Sequence, residues 1–236
     1  MTASTARRVT SVLCWDIDGT LLTTARAGVF ALEEAAREVL GTVPDFSSMP
    51  TAGLTDAEVA ALAIRTCGAY DSPERISDFL QAYERYLPDR LSWRQGRVLP
   101  GVLEVLDQLA ARHDVGCMLL TGNTEVGARA KLTHYGLAGR FDAGAFCTDV
   151  DDRETIARRA HALALERYGR DLPDDRIYVV GDTGHDVRCG KAIGARTVAI
   201  ASGPVARSEL VAADPWLLLN ELPEPERFVE ALELAR

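Results

Sequence analysis

The sequence predicts an α/β fold, a parallel sheet of βαβ units broken after its first strand by an inserted block of helices. Short apolar runs of strand length alternate with helical patterns along most of the chain, as in parallel crossover units. The alternation lapses between residue 23 and about residue 95, far longer than an ordinary connection. The length of 236 residues suits one large α/β domain or a domain carrying an inserted module.

The strand candidates in order are Ser11–Trp15 and residues 115–120, 142–147, 177–180 and 196–200, with 216–219 as a late edge strand. Continuous apolar character over so few residues suits strands buried on both faces. Among the connecting helices, Val102, Leu103, Val105, Leu106 and Leu109 form one stripe, with Pro100-Gly101 opening it in the first turn. Thr124-Glu125 starts another, which Gly136 would end, and Ile156, Ala160, Leu163 and Ala164 mark a third. The interrupting stretch reads as helices. Ala31, Leu32, Ala35 and Val39 form a stripe, Thr55-Asp56-Ala57-Glu58 has the form of a capping box, and Ser72-Pro73 opens a helix through Phe79 and Tyr83. The expected organisation is residues 1–22 as core, 23–95 as a helical cap and 96–236 as the rest of the core. Hinges are expected near 22–27 and 95–100.

Net charge of −9 opposes a nucleic-acid footprint, which needs a basic face, but not a small anionic substrate. Five cysteines form no Cys-x-x-Cys pair, so reduced thiols and a cytoplasmic setting are expected. Arg7-Arg8 precedes no hydrophobic stretch of signal-peptide length, and no segment approaches the ~20 apolar residues of a membrane span. A monomer or a homodimer fits the sequence equally.

The chemistry lies at strand ends, where open parallel sheets bind ligands. The first strand runs into Asp16-Ile17-Asp18-Gly19-Thr20. Two carboxylates across a tight turn allow Asp16 to attack phosphorus and Asp18 to protonate the leaving oxygen and then deprotonate water. A calcium loop is the alternative, and its spaced acidic ligands and terminal glutamate are missing. The second strand ends at Thr121-Gly122-Asn123. A hydroxyl and backbone N–H groups at a helix start make a phosphate cradle, although Thr121 or Asn123 could simply cap the helix. The fourth strand ends at Gly181-Asp182-Thr183-Gly184-His185-Asp186. Asp182 and Asp186, with Asp16 and the Asp18 carbonyl, compose an oxygen-rich Mg²⁺ site.

With these three motifs in this order, DIDGTL at 16–21, LLTGN at 119–123 and GDTGHD at 181–186, the chain resembles the haloacid dehalogenase superfamily. The resemblance implies a Rossmann-like three-layer core with a parallel sheet and an inserted α-helical cap. It also implies phosphorylation of Asp16, acid/base action by Asp18, phosphoryl binding by Thr121, and Mg²⁺ held with the help of Asp182. Asp186 would be a further metal-site carboxylate. One motif departs. The lysine usual after the third strand is absent, and the region reads Asp149-Val150-Asp151-Asp152-Arg153-Glu154. Arg153 is the favoured phosphate-side cation and Lys131 the rival, while Lys191 is expected on the surface.

Within that superfamily Asp18 favours phosphate esters, since a dehalogenase needs no proton donor for halide. Residues 23–95 contain no lysine, which disfavours imine-forming phosphonate hydrolysis. The pattern looks most like a phosphoglycolate-phosphatase-type hydrolase acting on a small phosphorylated metabolite. A phosphomutase of the β-phosphoglucomutase kind shares every core motif. A catalytically silent phosphate-binding or interaction module is the reading from another class, and retention of Asp16, Asp18, Thr121 and Asp182 opposes it. Arg26, Thr51, Thr55, Arg90, Trp93 and Arg94 are candidates for the cleft. No ligand spacing links the four histidines, and only His185 falls near the site.

Overall fold

The computed structural model describes residues 9–148 and 152–234. Arg7-Arg8 and Asp149-Val150-Asp151 therefore lie outside the described residues. The chain runs β1 (Ser11–Trp15), β2 (Leu22–Thr23), α1 (Ala27–Leu40), α2 (Asp56–Thr66), α3 (Pro73–Leu91) and β3 (Arg97–Val98). It continues through α4 (Val102–Ala110), β4 (Val115–Thr124), α5 (Glu125–His134), β5 (Ala143–Cys147) and α6 (Arg153–Tyr168). After a 3₁₀ turn at Asp174–Arg176 come β6 (Ile177–Gly181), α7 (Gly184–Ala192), β7 (Arg196–Ile200), α8 (Arg207–Ala212), β8 (Leu217–Leu219) and α9 (Pro225–Ala231).

The expected α/β class is the observed one, with a six-stranded sheet in the order β5-β4-β1-β6-β7-β8 and every pairing parallel. The order reverses about β1, because β4 follows on one side and β6 on the other. The crevice at such a switch point is where open sheets bind ligands. Alternation along β1 builds the layers. Val12 and Cys14 face a cluster with Ile156, Ala160 and Cys189 of α6 and α7. Leu13 and Trp15 face the opposite cluster with Val105 and Leu106 of α4 and Phe228 of α9.

The stretch without sheet strands is helical. Helices α1 to α3 stand between β2 and β3, which pair antiparallel through Leu22↔Val98 and Thr23↔Arg97. The segments flanking the insertion are therefore laced together. The Thr55–Glu58 capping box is complete, and Ser72 caps α3 with Pro73 in its first turn. Phe79, Leu87 and Ile64 of the insertion join the same apolar cluster as Val12 and Leu120. Ala25 and Arg26 hold left-handed backbone angles just before α1.

Three local expectations shift. Strand β4 runs on to Thr124 rather than stopping at Leu120. Gly101, not Pro100, caps α4, so the proline precedes the helix instead of occupying its first turn. Helix α5 keeps its expected end, with Gly136 in the left-handed conformation directly after the Tyr135 cap. β8 begins at Leu217, one residue late, because the Trp216 N–H donates to the Thr197 hydroxyl (2.9 Å) and not to a ladder. No helix among the described residues is long and apolar enough to cross a membrane.

Candidate active site

Asp16 is the first residue beyond β1, and its N–H still donates to the Val180 carbonyl at 2.9 Å. The ladder thus carries a buried carboxylate to the switch point. The chain then turns, with the Ile17 carbonyl accepting from the N–H groups of Thr20, Leu21 and Leu22. Gly19 sits in this turn at φ +86°, and a Cβ there would lie 2.3 Å from Asp182 Oδ2. Both the conformation and the space exclude a side chain. Gly19→Ala is accordingly expected to lower the melting temperature and to disturb Asp182. An unchanged Tm and unchanged metal response in that variant would contradict this packing.

Asp182 follows β6 directly and accepts from the Thr20 hydroxyl (3.2 Å). Asp186, two residues into α7, completes a capping box. Its Oδ2 accepts from the Thr183 N–H (3.0 Å) and hydroxyl (2.7 Å). Capping uses one oxygen, leaving Oδ1 turned into the site with no hydrogen-bond partner. Asp16, Asp182 and Asp186 are all buried, with ligand oxygens within 4.8 Å of one another. Burial and the Asp186 charge push Asp16 up to about 7, against the opposing pull of Arg153. Burial, Asp186 and Asp16 push Asp182 up to about 8. Three crowded buried carboxylates, one with an unsatisfied oxygen, form a donor set suited to a hard divalent cation.

The positive side of the site is Arg153, at the start of α6. Its Nη1 lies 3.7 Å from Asp16 Oδ1 and 3.4 Å from Asp186 Oδ1, without a formed hydrogen bond. Its Nε donates to the Gly53 carbonyl of the insertion (3.0 Å). Thr121 is fully buried, and its hydroxyl helps to lower the Asp16 pKa. Asn123 donates from Nδ2 to Thr121 Oγ1 (3.0 Å) and to Asp18 Oδ2 (2.9 Å). Lys131, though two turns into α5, reaches the site. Its buried ammonium donates to Asp18 Oδ2 and Asn123 Oδ1, each at 2.5 Å. Burial would lower its pKa, and Asp18, Tyr83 and Asp56 together raise it instead.

The expected residues Asp16, Asp18, Thr121, Gly122, Asn123, Lys131, Arg153, Asp182 and Asp186 thus converge on one sheet edge. The two rival cations divide between the two carboxylates, Arg153 beside Asp16 and Lys131 on Asp18. The Asp18 side chain stands outside the carboxylate trio, and its expected share in the metal site was its backbone carbonyl. Lys191 is exposed and bonds the Ala213 carbonyl, as a surface residue does. Burial, and then the Arg188 charge, lower the pKa of half-buried His185.

The cleft candidates fare differently. Thr55 is spent as a buried helix cap. Arg90 lies over the Trp93 ring (4.3 Å) and Arg94 over Phe30 (5.1 Å), while Arg26 bonds the Phe46 carbonyl (3.2 Å). These side chains find their partners within the insertion. Sequence reasoning missed Gly53 and Asp56. Asp56 accepts from the Thr124 N–H (2.8 Å), and its only sequence signal was membership of a capping box.

The family profile described as haloacid dehalogenase-like hydrolase matches residues 13–191. The chain is 31% identical over 210 residues to a phosphoglycolate phosphatase of Synechococcus elongatus, covering 87% of this chain and 91% of that one. It is 29% identical over 203 residues to the tyrosine-protein kinase PtkA of Mycobacterium tuberculosis, covering 85% of this chain but only 65% of that relative. Among solved structures, a predicted phosphatase from Clostridium acetobutylicum superposes with a TM-score of 0.72 at 19% identity, over 96% of this chain and 100% of that one.

Proposed function

The chain belongs to the haloacid dehalogenase-like hydrolase family, and on that premise we propose a Mg²⁺-dependent phosphatase that hydrolyses a small phosphorylated metabolite through an aspartyl-phosphate on Asp16. The observation that carries this reading is the placement of buried Asp16 between Arg153 and the carboxylates Asp182 and Asp186, with Asp18 held across the turn by Lys131. Residues 23–95 are read as the cap. The five cysteines, as thiols, suit a reducing, cytoplasmic setting.

Asp16, Asp182, Asp186 and the Asp18 carbonyl would hold Mg²⁺. When bound, the ion would neutralise the crowded carboxylates and the phosphoryl charge. Arg153, the Thr121 hydroxyl and the backbone at Gly122 and Asn123 orient the phosphoryl oxygens. An Asp16 oxygen attacks phosphorus as the bond to the leaving oxygen breaks, and Asp18 delivers the proton that oxygen needs. Asp18 then takes a proton from water, which attacks the same phosphorus and returns Asp16 as carboxylate with release of phosphate.

Phosphoglycolate heads the substrate panel, on the strength of the Synechococcus relative's activity. The experiment is a screen of phosphorylated metabolites for released inorganic phosphate. Recovery of an isomer in place of phosphate would instead support the mutase reading, in which a sugar phosphate replaces water as acceptor.

Two further outcomes are expected. Arg153→Lys keeps the charge but loses the fork, and should lower kcat about tenfold; Arg153→Met should lower it about 10²–10³-fold. Equal activity in all three proteins would remove Arg153 from the phosphate site. The second concerns metal. Carboxyls at Asp16 and Asp182 raised to about 7 and about 8 favour the protonated form in the metal-free fold. Their contribution to stability is present at low pH and is lost as pH rises through those values. Mg²⁺ should therefore raise Tm more at pH about 8.5 than at pH about 5. A Tm increment independent of pH would argue against Mg²⁺ binding at this trio.

A further inference from the structure

The segment that must bind the phosphoryl group is not held by regular strand pairing. β1 pairs with β4 only as far as Trp15↔Leu119. β5 pairs with Leu120 through Ala145 and next with Thr124 through Cys147, so three residues of β4 lie between those pairs but only one of β5. The three are Thr121, Gly122 and Asn123. Something outside the ladder has to fix them.

The helical insertion supplies contacts at this place. Asp56, the first residue of α2, accepts the Thr124 N–H at 2.8 Å, just where regular pairing resumes. Thr124 is also the cap of α5, its hydroxyl accepting from the Gly127 N–H (3.1 Å). The backbone just before Asp56 lies against Gly122, where a Cβ would stand 3.0 Å from the Leu54 carbonyl oxygen and 3.0 Å from the Thr55 Cα. Three residues before Asp56, the Gly53 carbonyl takes the Arg153 Nε–H. One short stretch of the insertion thus touches both the Thr121–Asn123 cradle and the phosphate-side arginine.

We propose that Asp56 is a positioning residue, a peg from the cap that fixes the Thr121–Asn123 cradle by holding the Thr124 N–H. This rests on the phosphatase reading above. Asp56 touches no reacting atom and acts through the backbone that follows the cradle. Lys131, donating to Asn123 Oδ1, is the second anchor of the same segment, from the core side. Seating of the cap and readiness of the cradle are then one event.

The test compares Asp56→Ala with Asp56→Asn in p-nitrophenyl phosphate turnover and in inhibition by orthovanadate, which reads the cradle directly. Asp56→Ala should lower kcat on the order of 10-fold to 100-fold, as expected of a small misplacement at the reacting group. It should weaken vanadate by a similar factor. Asp56→Asn keeps an oxygen that accepts from Thr124, and should recover to within about threefold of the wild type. A merely structural role would lower Tm in Asp56→Ala while leaving kcat per folded molecule and vanadate affinity unchanged, and that result overturns the peg. So does an Asn variant as impaired as the Ala variant. Amide hydrogen exchange covers the case of an Ala variant that does not fold. The Thr124 amide should exchange slowly in the wild type and in Asp56→Asn, and fast exchange in the wild type overturns the proposal. A wild-type protein that neither turns over the ester nor binds vanadate would overturn the phosphatase reading itself, while Thr124 exchange would still decide whether the peg bond exists.

Discussion

Asp16→Asn is expected to lose at least about 10⁴-fold in kcat on every phosphate ester, the scale seen when a nucleophile is removed. The amide has nearly the shape of the carboxylate but no electron pair able to displace an alkoxide. The Ile17 turn and the Asp16 N–H bond to Val180 are backbone contacts, so they survive the change. A second signature separates this loss from unfolding. Asp16 is one of three buried carboxylates that repel one another. Removing one charge should raise the Tm of the metal-free protein above that of the wild type at pH about 8, where the wild type has lost most of the stability that protonated Asp16 and Asp182 give at low pH. Near pH 4, where those groups are protonated, the two proteins should melt alike. A variant that stays active, or one whose Tm falls at every pH, would contradict the placement of Asp16.

The second large effect is expected at Asp18. Asp18→Asn keeps an oxygen for the Asn123 amide and Lys131, yet no longer exchanges protons. Alkyl phosphates, with strongly basic leaving oxygens, should lose about 10²–10⁴-fold in kcat/KM. p-Nitrophenyl phosphate, whose leaving group departs without a proton, should lose far less at that step. Its steady-state kcat should still fall, because the same carboxylate prepares the water that clears Asp16. Equal loss of kcat/KM across leaving groups would mean that Asp18 supports the fold or the metal and is not the proton donor.

Much of this arrangement was legible in the residues. Asp16, Thr121 and Asp182 were placed at strand ends by apolar runs and a polar break, and a parallel sheet brings such ends to one edge. The insertion was legible as an absence of strands together with helix-start chemistry at Thr55 and Ser72. The parts that were not legible depend on distances between elements. Lys131 ranked behind Arg153 because it lies two turns into α5, a distance along the chain that does not tell where its ammonium ends, and in the fold it reaches Asp18. Asp56 looked like half of a local cap because a capping box satisfies the sequence pattern by itself. Its bond to Thr124 spans 68 positions, and no local period encodes that. Arg90, Trp93 and Arg94 were offered to the cleft for their chemistry. Stacking with neighbouring aromatic residues claims them, an outcome set by how α3 packs on α1.

The central claim is that Asp16 becomes covalently phosphorylated, and direct detection of that bond tests it. Asp18→Asn, slowed in the water-consuming step, should be mixed with Mg²⁺ and p-nitrophenyl phosphate, quenched in acid, digested and examined by mass spectrometry. One phosphoryl group on the Asp16 side chain, lost on treatment with hydroxylamine, is the predicted result. An unmodified Asp16 peptide during active release of p-nitrophenol, or phosphate found on another residue, would contradict it.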